Sequence, residues 1–322
     1  PAQAAMMREA PWTSDPQHFK HVRMSALALL KMTSHTRSGG ELEVMGLMQG
    51  KVEGDTIIVL DAFALPVEGT ETRVNAQAEA YEFMVQYNIL SKAVGREENV
   101  VGWYHSHPGY GCWLSGIDVA TQKLNQEHQE PFLAVVVDPK RTLASGKVEI
   151  GAFRTYPQDY KPPGEGGFAG HQMIPLEKVE DFGVHAKSYY QLDIQFFKSS
   201  LDSQLFEVLW HRYWMDALAT SRTLEGADFA TQQVADLAAK VEQAERSVAH
   251  SGRMAGHMGP LRAEKLRRRE DTPLKKLALD SSKIAVEQLA GVLVQGIKSG
   301  LFCRHGPAPG PSREQQPSPM DI

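Results

Sequence analysis

The sequence predicts an α/β or α+β sheet domain followed by a run of helices. Three observations carry this reading. Short strand-type runs recur at Leu42 to Met48, Thr56 to Leu65, Val100 to Tyr104, Phe132 to Val137 and Lys147 to Phe153, flanked by Gly, Pro, Asn or Asp. Between most of them lie polar stretches with apolar residues at helical spacing, and that alternation builds a sheet with helices packed on it. Beyond about residue 199 only helical spacing is left.

Residues 1–14 read as a loose arm. Ser14-Asp15-Pro16 is a helix-start signal, a capping side chain before a first-turn proline, and Phe19, Val22, Ala26, Leu29 and Leu30 follow at helical spacing up to Ser38-Gly39-Gly40. The strands at Leu42 and Thr56 are joined by a polar Gly-containing turn and form a hairpin. Residues 66–74 form a loop, Asn75 caps a helix over 76–94, and a further helix spans Ser115 to Glu130. Pro162 to Gly170 is a Gly/Pro-rich loop. Helices are expected over 199–221, over 226–248 with Val234, Leu237, Val241, Ala244 and Val248 on one stripe, and over Ser282 to Lys298. His250 to Thr272 lacks a stripe and reads as a charged linker, and the Pro-rich polar tail from Arg304 is expected to be disordered. The domain plan is thus a catalytic-type domain over 15–224, a helical region over 225–303 with a linker at 250–272, and a tail over 304–322.

Composition narrows the function classes. The 322 residues are 42% hydrophobic and 23% charged, with a net charge of -5, so no overall basic footprint for nucleic acid exists. The cations from Arg262 to Arg269 sit among Glu264, Glu270 and Asp271 and read as a solvated face. No apolar run approaches the roughly 18–20 residues that span a bilayer. No basic-then-apolar leader is visible, and two cysteines cannot build a disulfide framework. A reducing compartment, cytoplasm and nucleus, is the expectation.

The chemistry is concentrated in residues 105–118, His-Ser-His-Pro-Gly-Tyr-Gly-Cys-Trp-Leu-Ser-Gly-Ile-Asp. With 12 histidines in the chain, chance supplies a His-x-His in about every second such chain, so the pair alone is weak. The fixed offsets of Pro108, Ser115 and Asp118 make it specific. His105 and His107, two apart at a strand end, present both rings to one side. Ser115 and Asp118, three apart on a helix, share a face. His105, His107 and Asp118 can therefore hold one zinc ion with one position open, the arrangement of a hydrolytic rather than a structural site. A hydrogen-bonded core pair is the other reading of the histidines. The water needs a base, and Glu43, between Leu42 and Val44 in an apolar strand, is the candidate; a strand glutamate with its head in solvent is the alternative. Ser115 could donate to a developing oxyanion or cap the helix that follows it. Cys112 reads as a small packing residue.

Glu43, His105-Ser106-His107, Ser115 and Asp118, with Leu42 to Met48 and Val100 to Gly109 around them, resemble the JAMM (MPN-plus) signature of zinc isopeptidases. Val67 to Gln77 and Ile174 to Tyr190 resemble the signalosome branch of that family rather than the proteasome-lid branch. The resemblance runs from about residue 15 to 224. It implies a cytidine-deaminase-like fold, a central mixed sheet with flanking helices, with insertions at about 64–98 and 164–186. It implies one zinc per chain and an isopeptide substrate, a neddylated cullin, whose cleavage regulates cullin-RING ubiquitin ligases. Partners would be other signalosome subunits, especially a second MPN-type subunit, with no nucleic acid and no membrane. The resemblance also makes the 66–74 loop a regulatory element in which Glu71 could cover the open metal position and Arg73 could pin the loop or, after rearrangement, meet the modifier's tail; a solvated loop glutamate is the other reading. A ubiquitin-chain hydrolase of the proteasome-lid type and a non-catalytic MPN scaffold are the rival functions.

Overall fold

In the computed structural model the described residues are 8–69, 73–158, 160, 172–255 and 260–302. Among them, seven strands form one mixed sheet closed into a barrel. They are β1 (His21–Ser25), β2 (Glu43–Glu53), β3 (Thr56–Gly69), β4 (Asn99–Ser106), β5 (Leu133–Asp138), β6 (Glu149–Thr155) and β7 (Tyr189–Phe197). They run in the order β1-β3-β2-β4-β5-β6-β7, and β7 returns to β1. The β1–β3, β1–β7 and β4–β5 pairs are parallel and the others antiparallel. The expected β2–β3 hairpin is present, turning at Gly54-Asp55 between the paired Glu53 and Thr56.

Both faces of the sheet are buried, which explains why β5 reads Leu-Ala-Val-Val-Val with every residue inside. Leu133, Val135 and Val137 pack with Met24, Met48 and Val59 and with Ala28 and Met32 of helix α1 (Ala26–Ser38). Ala134 and Val136 pack with Leu47, Trp103 and Leu114 and with Val119 of a second helix. Three helices follow α1: α2 (Arg73–Ala93), α3 (Gly116–His128), which carries Val119, and the short α4 (Pro139–Ser145). A short α5 (Val179–His185) precedes β7. The C-terminal part is helical: α6 (Ser200–Ala219), α7 (Arg222–Glu225), α8 (Ala227–Ala255) and α9 (Pro260–Phe302).

Several expectations are corrected. Ser14-Asp15-Pro16 starts no helix; Phe19 and Val22 enter the core from the segment before β1 and from β1 itself. The helix begins at Ala26, where Ser25 Oγ accepts from the Ala28 N–H at 3.0 Å and donates to Leu60 O at 2.6 Å. Parallel pairing of β1 on both edges outweighs the local capping signal. Residues 11–13 of the expected loose arm form a 3₁₀ turn, and Trp12 stacks on Phe19 with centroids 5.6 Å apart. The 66–74 loop is shorter than expected: β3 stays paired to Gly69, and α2 starts at Arg73, so Asn75 lies inside the helix rather than at its cap. The linker expected at 250–272 is also revised, since residues 250–255 end α8 and 260–272 open α9. Its Ala, Leu, Glu, Lys and Arg are strong helix formers, and that propensity supports a helix without an apolar stripe. The strand β7 and the helices α4 and α5 had no expectation. The loop at 162–170, the tail from Arg304 and Glu71 lie outside the described residues.

Burial sets a pH limit. It pushes the Tyr189 hydroxyl up to about 12, with the Leu114 N–H opposing, and burial likewise pushes Tyr190 up to about 12. A raised folded value means the contribution is complete below the unfolded value near 10 and is lost as pH climbs toward 12. Urea midpoints should therefore hold steady up to about pH 10 and fall steeply above it.

Candidate metal centre

β4 and α3 bring the site together. Trp103 and His105 lie two apart on β4 and face the side covered by α3, where the Trp103 Nε1–H donates to Gln122 Oε1 at 2.8 Å. The indole stacks on the His105 ring at 4.5 Å, fixing the imidazole plane. His107 follows the strand end; its Nδ1 lies 3.0 Å from Gly111 O, and since a carbonyl only accepts, Nδ1–H donates there and leaves Nε2 facing the site. Asp118 projects back from the first turn of α3, whose cap is Ser115.

The three groups are buried, at 2%, 2% and 7% exposure for His105, His107 and Asp118. His105 Nε2 and His107 Nε2 are 3.1 Å apart, and Asp118 Oδ2 lies 3.4 Å from the first and 3.6 Å from the second. A tetrahedral ion with bonds of about 2.0–2.1 Å separates its ligands by roughly 3.3–3.4 Å, so these atoms already span one face of such a tetrahedron. Among the described residues this is the one cluster of three or more metal-type side chains with its ligand atoms within 4.8 Å of one another. The electrostatics agree with that use. Burial pushes the Asp118 carboxyl up, but the His105 and His107 imidazoles outweigh it and hold the group well below the usual carboxylate range, ready to ligate as an anion.

The remaining expected residues fall around this face. Ser115 is the helix cap: its Oγ donates to Asp118 Oδ2 at 2.6 Å and accepts from the Asp118 N–H at 3.3 Å, while the Ser115 N–H donates to the same Oδ2 at 2.9 Å. Its proton is thus directed at the carboxylate. Glu43 is the first residue of β2, half-buried, and stands outside the three-group cluster. Met45 pairs with His105, and the Val44 N–H donates to Ser106 Oγ at 2.9 Å, so the start of β2 lies beside the end of β4. Cys112 packs in the apolar cluster with Leu114 and Phe153, as a small core residue does.

Two contributors were missed from sequence. The Tyr110 hydroxyl donates to Glu43 Oε1, and its ring stacks on His107 at 4.4 Å. Burial, then the Glu43 carboxylate, pushes that hydroxyl far above the phenol range, so it stays a donor. Asp138, fully buried, accepts the N–H groups of Gly109 at 2.9 Å, Gly111 at 2.8 Å and Arg141 at 2.9 Å, and pairs with Arg141 Nε at 3.2 Å. Gly109 and Gly111 have φ of +94° and +93°, which lets the loop turn and aim those N–H groups at one carboxylate. The signals were there: Gly-Tyr-Gly directly after the histidines, and Asp138-Pro139, a cap before a first-turn proline.

Changing Asp138 to Asn keeps the shape but turns an amide N–H₂ toward a backbone donor. We expect a loss of about 2–3 kcal/mol in denaturant unfolding. Because His107 is held through Gly111, metal affinity measured by chelator competition should fall by roughly 10–100-fold.

Comparisons with known proteins give the same picture. A family profile described as JAB1/Mov34/MPN/PAD-1 ubiquitin protease matches residues 17–131, and one described as Cop9 signalosome subunit 5 C-terminal domain matches residues 220–303. The COP9 signalosome complex subunit 5 of Oryza sativa subsp. japonica is 61% identical over 94% of this chain and 82% of its own length. Subunit 5b of Arabidopsis thaliana is 57% identical over 99% of this chain and 88% of its own. The Dictyostelium discoideum subunit 5 is 56% identical over 92% and 86%. With the His-His-Asp face at the junction of β4 and α3 and relatives of this identity over nearly the whole length, the chain belongs to the COP9 signalosome subunit 5 family of JAB/MPN proteins.

Proposed function

We propose that this chain is a zinc isopeptidase that removes the ubiquitin-like neddylation modifier from cullins as the catalytic subunit of a signalosome, in cytoplasm and nucleus. The observation that carries the chemistry is the buried triangle of His105 Nε2, His107 Nε2 and Asp118 Oδ2, with edges of 3.1, 3.4 and 3.6 Å. The ubiquitin-protease description of the matching profile supports an isopeptide substrate, and the relatives' names support a place in an assembly.

His105, His107 and Asp118 would hold one zinc ion. Zinc, when bound there, supplies a Lewis acid and brings the pKa of a water close to neutrality. Glu43 takes the proton from the attacking water and returns it to the leaving lysine amine. Its Oε1 is held by Tyr110, which leaves Oε2 for that proton. The Ser115 hydroxyl steadies the oxyanion, which requires its proton to swing from Asp118 toward the substrate while the Ser115 N–H keeps the carboxylate in place.

Two apolar surfaces support assembly with other subunits, a second MPN-type subunit among them. One lies on α6, where Leu201, Val208, Trp210 and Met215 are all more than 60% exposed, and the other on α9, with Leu289, Leu293 and Ile297 exposed. Glu71 and Arg73 remain the proposed control elements. Gly69 pairs directly across from Glu43, so β3 ends beside the proposed base, two residues before Glu71 in sequence.

The zinc-loaded complex should release the modifier from a cullin conjugate faster than it cuts ubiquitin chains. Preferential cutting of ubiquitin chains would favour the proteasome-lid type of activity, and a chain that binds no zinc would favour a scaffold. Glu43→Gln should lower kcat by roughly 10²–10⁴ with zinc still near one per chain. Asp118→Asn should lose both zinc and activity, and full zinc occupancy in that variant would remove Asp118 from the ligand set. Glu71→Ala should raise the rate of the isolated chain on a fluorogenic modifier substrate; an unchanged rate would sink the control role.

A further inference from the structure

We infer that Tyr110 is a positioning residue for the reaction, a rigid arm that sets the carboxylate of Glu43 relative to the metal-ligand face. The inference rests on the reading of Glu43 as the base and adds the element that places it.

A glutamate carboxylate hangs on three rotatable bonds, and as the first residue of β2 Glu43 has strand structure on one side only. Left alone, such a side chain samples several rotamers. Among the described residues the hydrogen bond to its carboxylate comes from the Tyr110 hydroxyl. That phenol is itself fixed at four points. Its ring stacks on His107 at 4.4 Å with planes 27° apart. Its carbonyl accepts the Trp113 Nε1–H at 2.9 Å, and Trp113 packs edge-on against the same His107 ring at 5.5 Å. Its neighbours Gly109 and Gly111 are tied through their N–H groups to Asp138. On the outside, the Lys178 ammonium lies 5.4 Å above the ring centre. The distance from base to ligand His107 is therefore set by a flat ring with one face against the imidazole and its hydroxyl on Oε1. A tyrosine supplies both parts, whereas a phenylalanine would keep the stack and release the carboxylate.

Tyr110→Phe isolates the hydroxyl. In the zinc-loaded complex it should lower kcat by about 10–100-fold with KM within about twofold, since a base displaced by about an ångström costs that much while the substrate contacts are untouched. The full chain loaded with cobalt in place of zinc should give the parent absorption spectrum, because the ligands are unchanged. Thermal unfolding of the chain supplies a readout that does not depend on activity. The Tm losses of Tyr110→Phe and Glu43→Ala should be non-additive, the double variant losing no more than the larger single one. Full activity of Tyr110→Phe beside an active parent, or strictly additive Tm losses, overturns this inference and leaves the isopeptidase reading intact. An altered cobalt spectrum also overturns it, because Tyr110 would then be shaping the ligand set. A parent complex that holds zinc and cleaves neither conjugate overturns the isopeptidase reading itself.

Discussion

One buried oxygen organises this protein's chemistry. Asp118 Oδ2 accepts from the Ser115 N–H and hydroxyl and faces both imidazoles within 3.6 Å. A carboxylate taken out of water is expensive unless it is paired and hydrogen-bonded, and here the partners come from two pieces of the fold. The imidazoles come from the end of β4 and the hydroxyl from the turn before α3. The strand end and the helix start must meet at this point.

Keeping the imidazoles in place is the task of the loop between them and α3. His107 is oriented through Gly111 O, and the Gly109 and Gly111 peptides are gathered by Asp138 at the end of the adjoining strand β5. Burial raises the Asp138 carboxyl, while Arg141 and three N–H donors oppose that rise. The C-terminal helices reach the same loop from outside. Phe229 of α8 is buried against Gly109, where an added Cβ would meet its ring at 3.0 Å, and Asp236 accepts the Leu176 N–H at 2.7 Å. The helical region is thus packed onto the barrel near the site, while α9 continues with an exposed apolar face.

The candidate site was legible in outline because its spacing is local. A step of two from His105 to His107, and of three from Ser115 to Asp118, translates directly into one side of a strand and one face of a helix. Glu43 was found because a charge in an apolar strand calls for a reason. Tyr110 and Asp138 were missed because their partners lie 67 residues away in one case, and 27 and 29 in the other. The same limit applies to the fold. The hairpin and the helix after Ser115 were read from turn and cap residues, whereas β1 was mistaken for the start of a helix. Its identity depends on parallel pairing with β3 and β7, and β7 comes about 170 residues later.

By itself the sequence determined the class of fold, the three metal-type side chains and a carboxylate outside their segment, because periodicity and short offsets act through local backbone geometry. Only the tertiary structure decided that the mixed sheet closes on itself, that the Ser115 hydroxyl is aimed at Asp118, and that Tyr110 stands between Glu43 and His107. Those outcomes depend on contacts between distant segments, where burial and long-range pairing outweigh local preference.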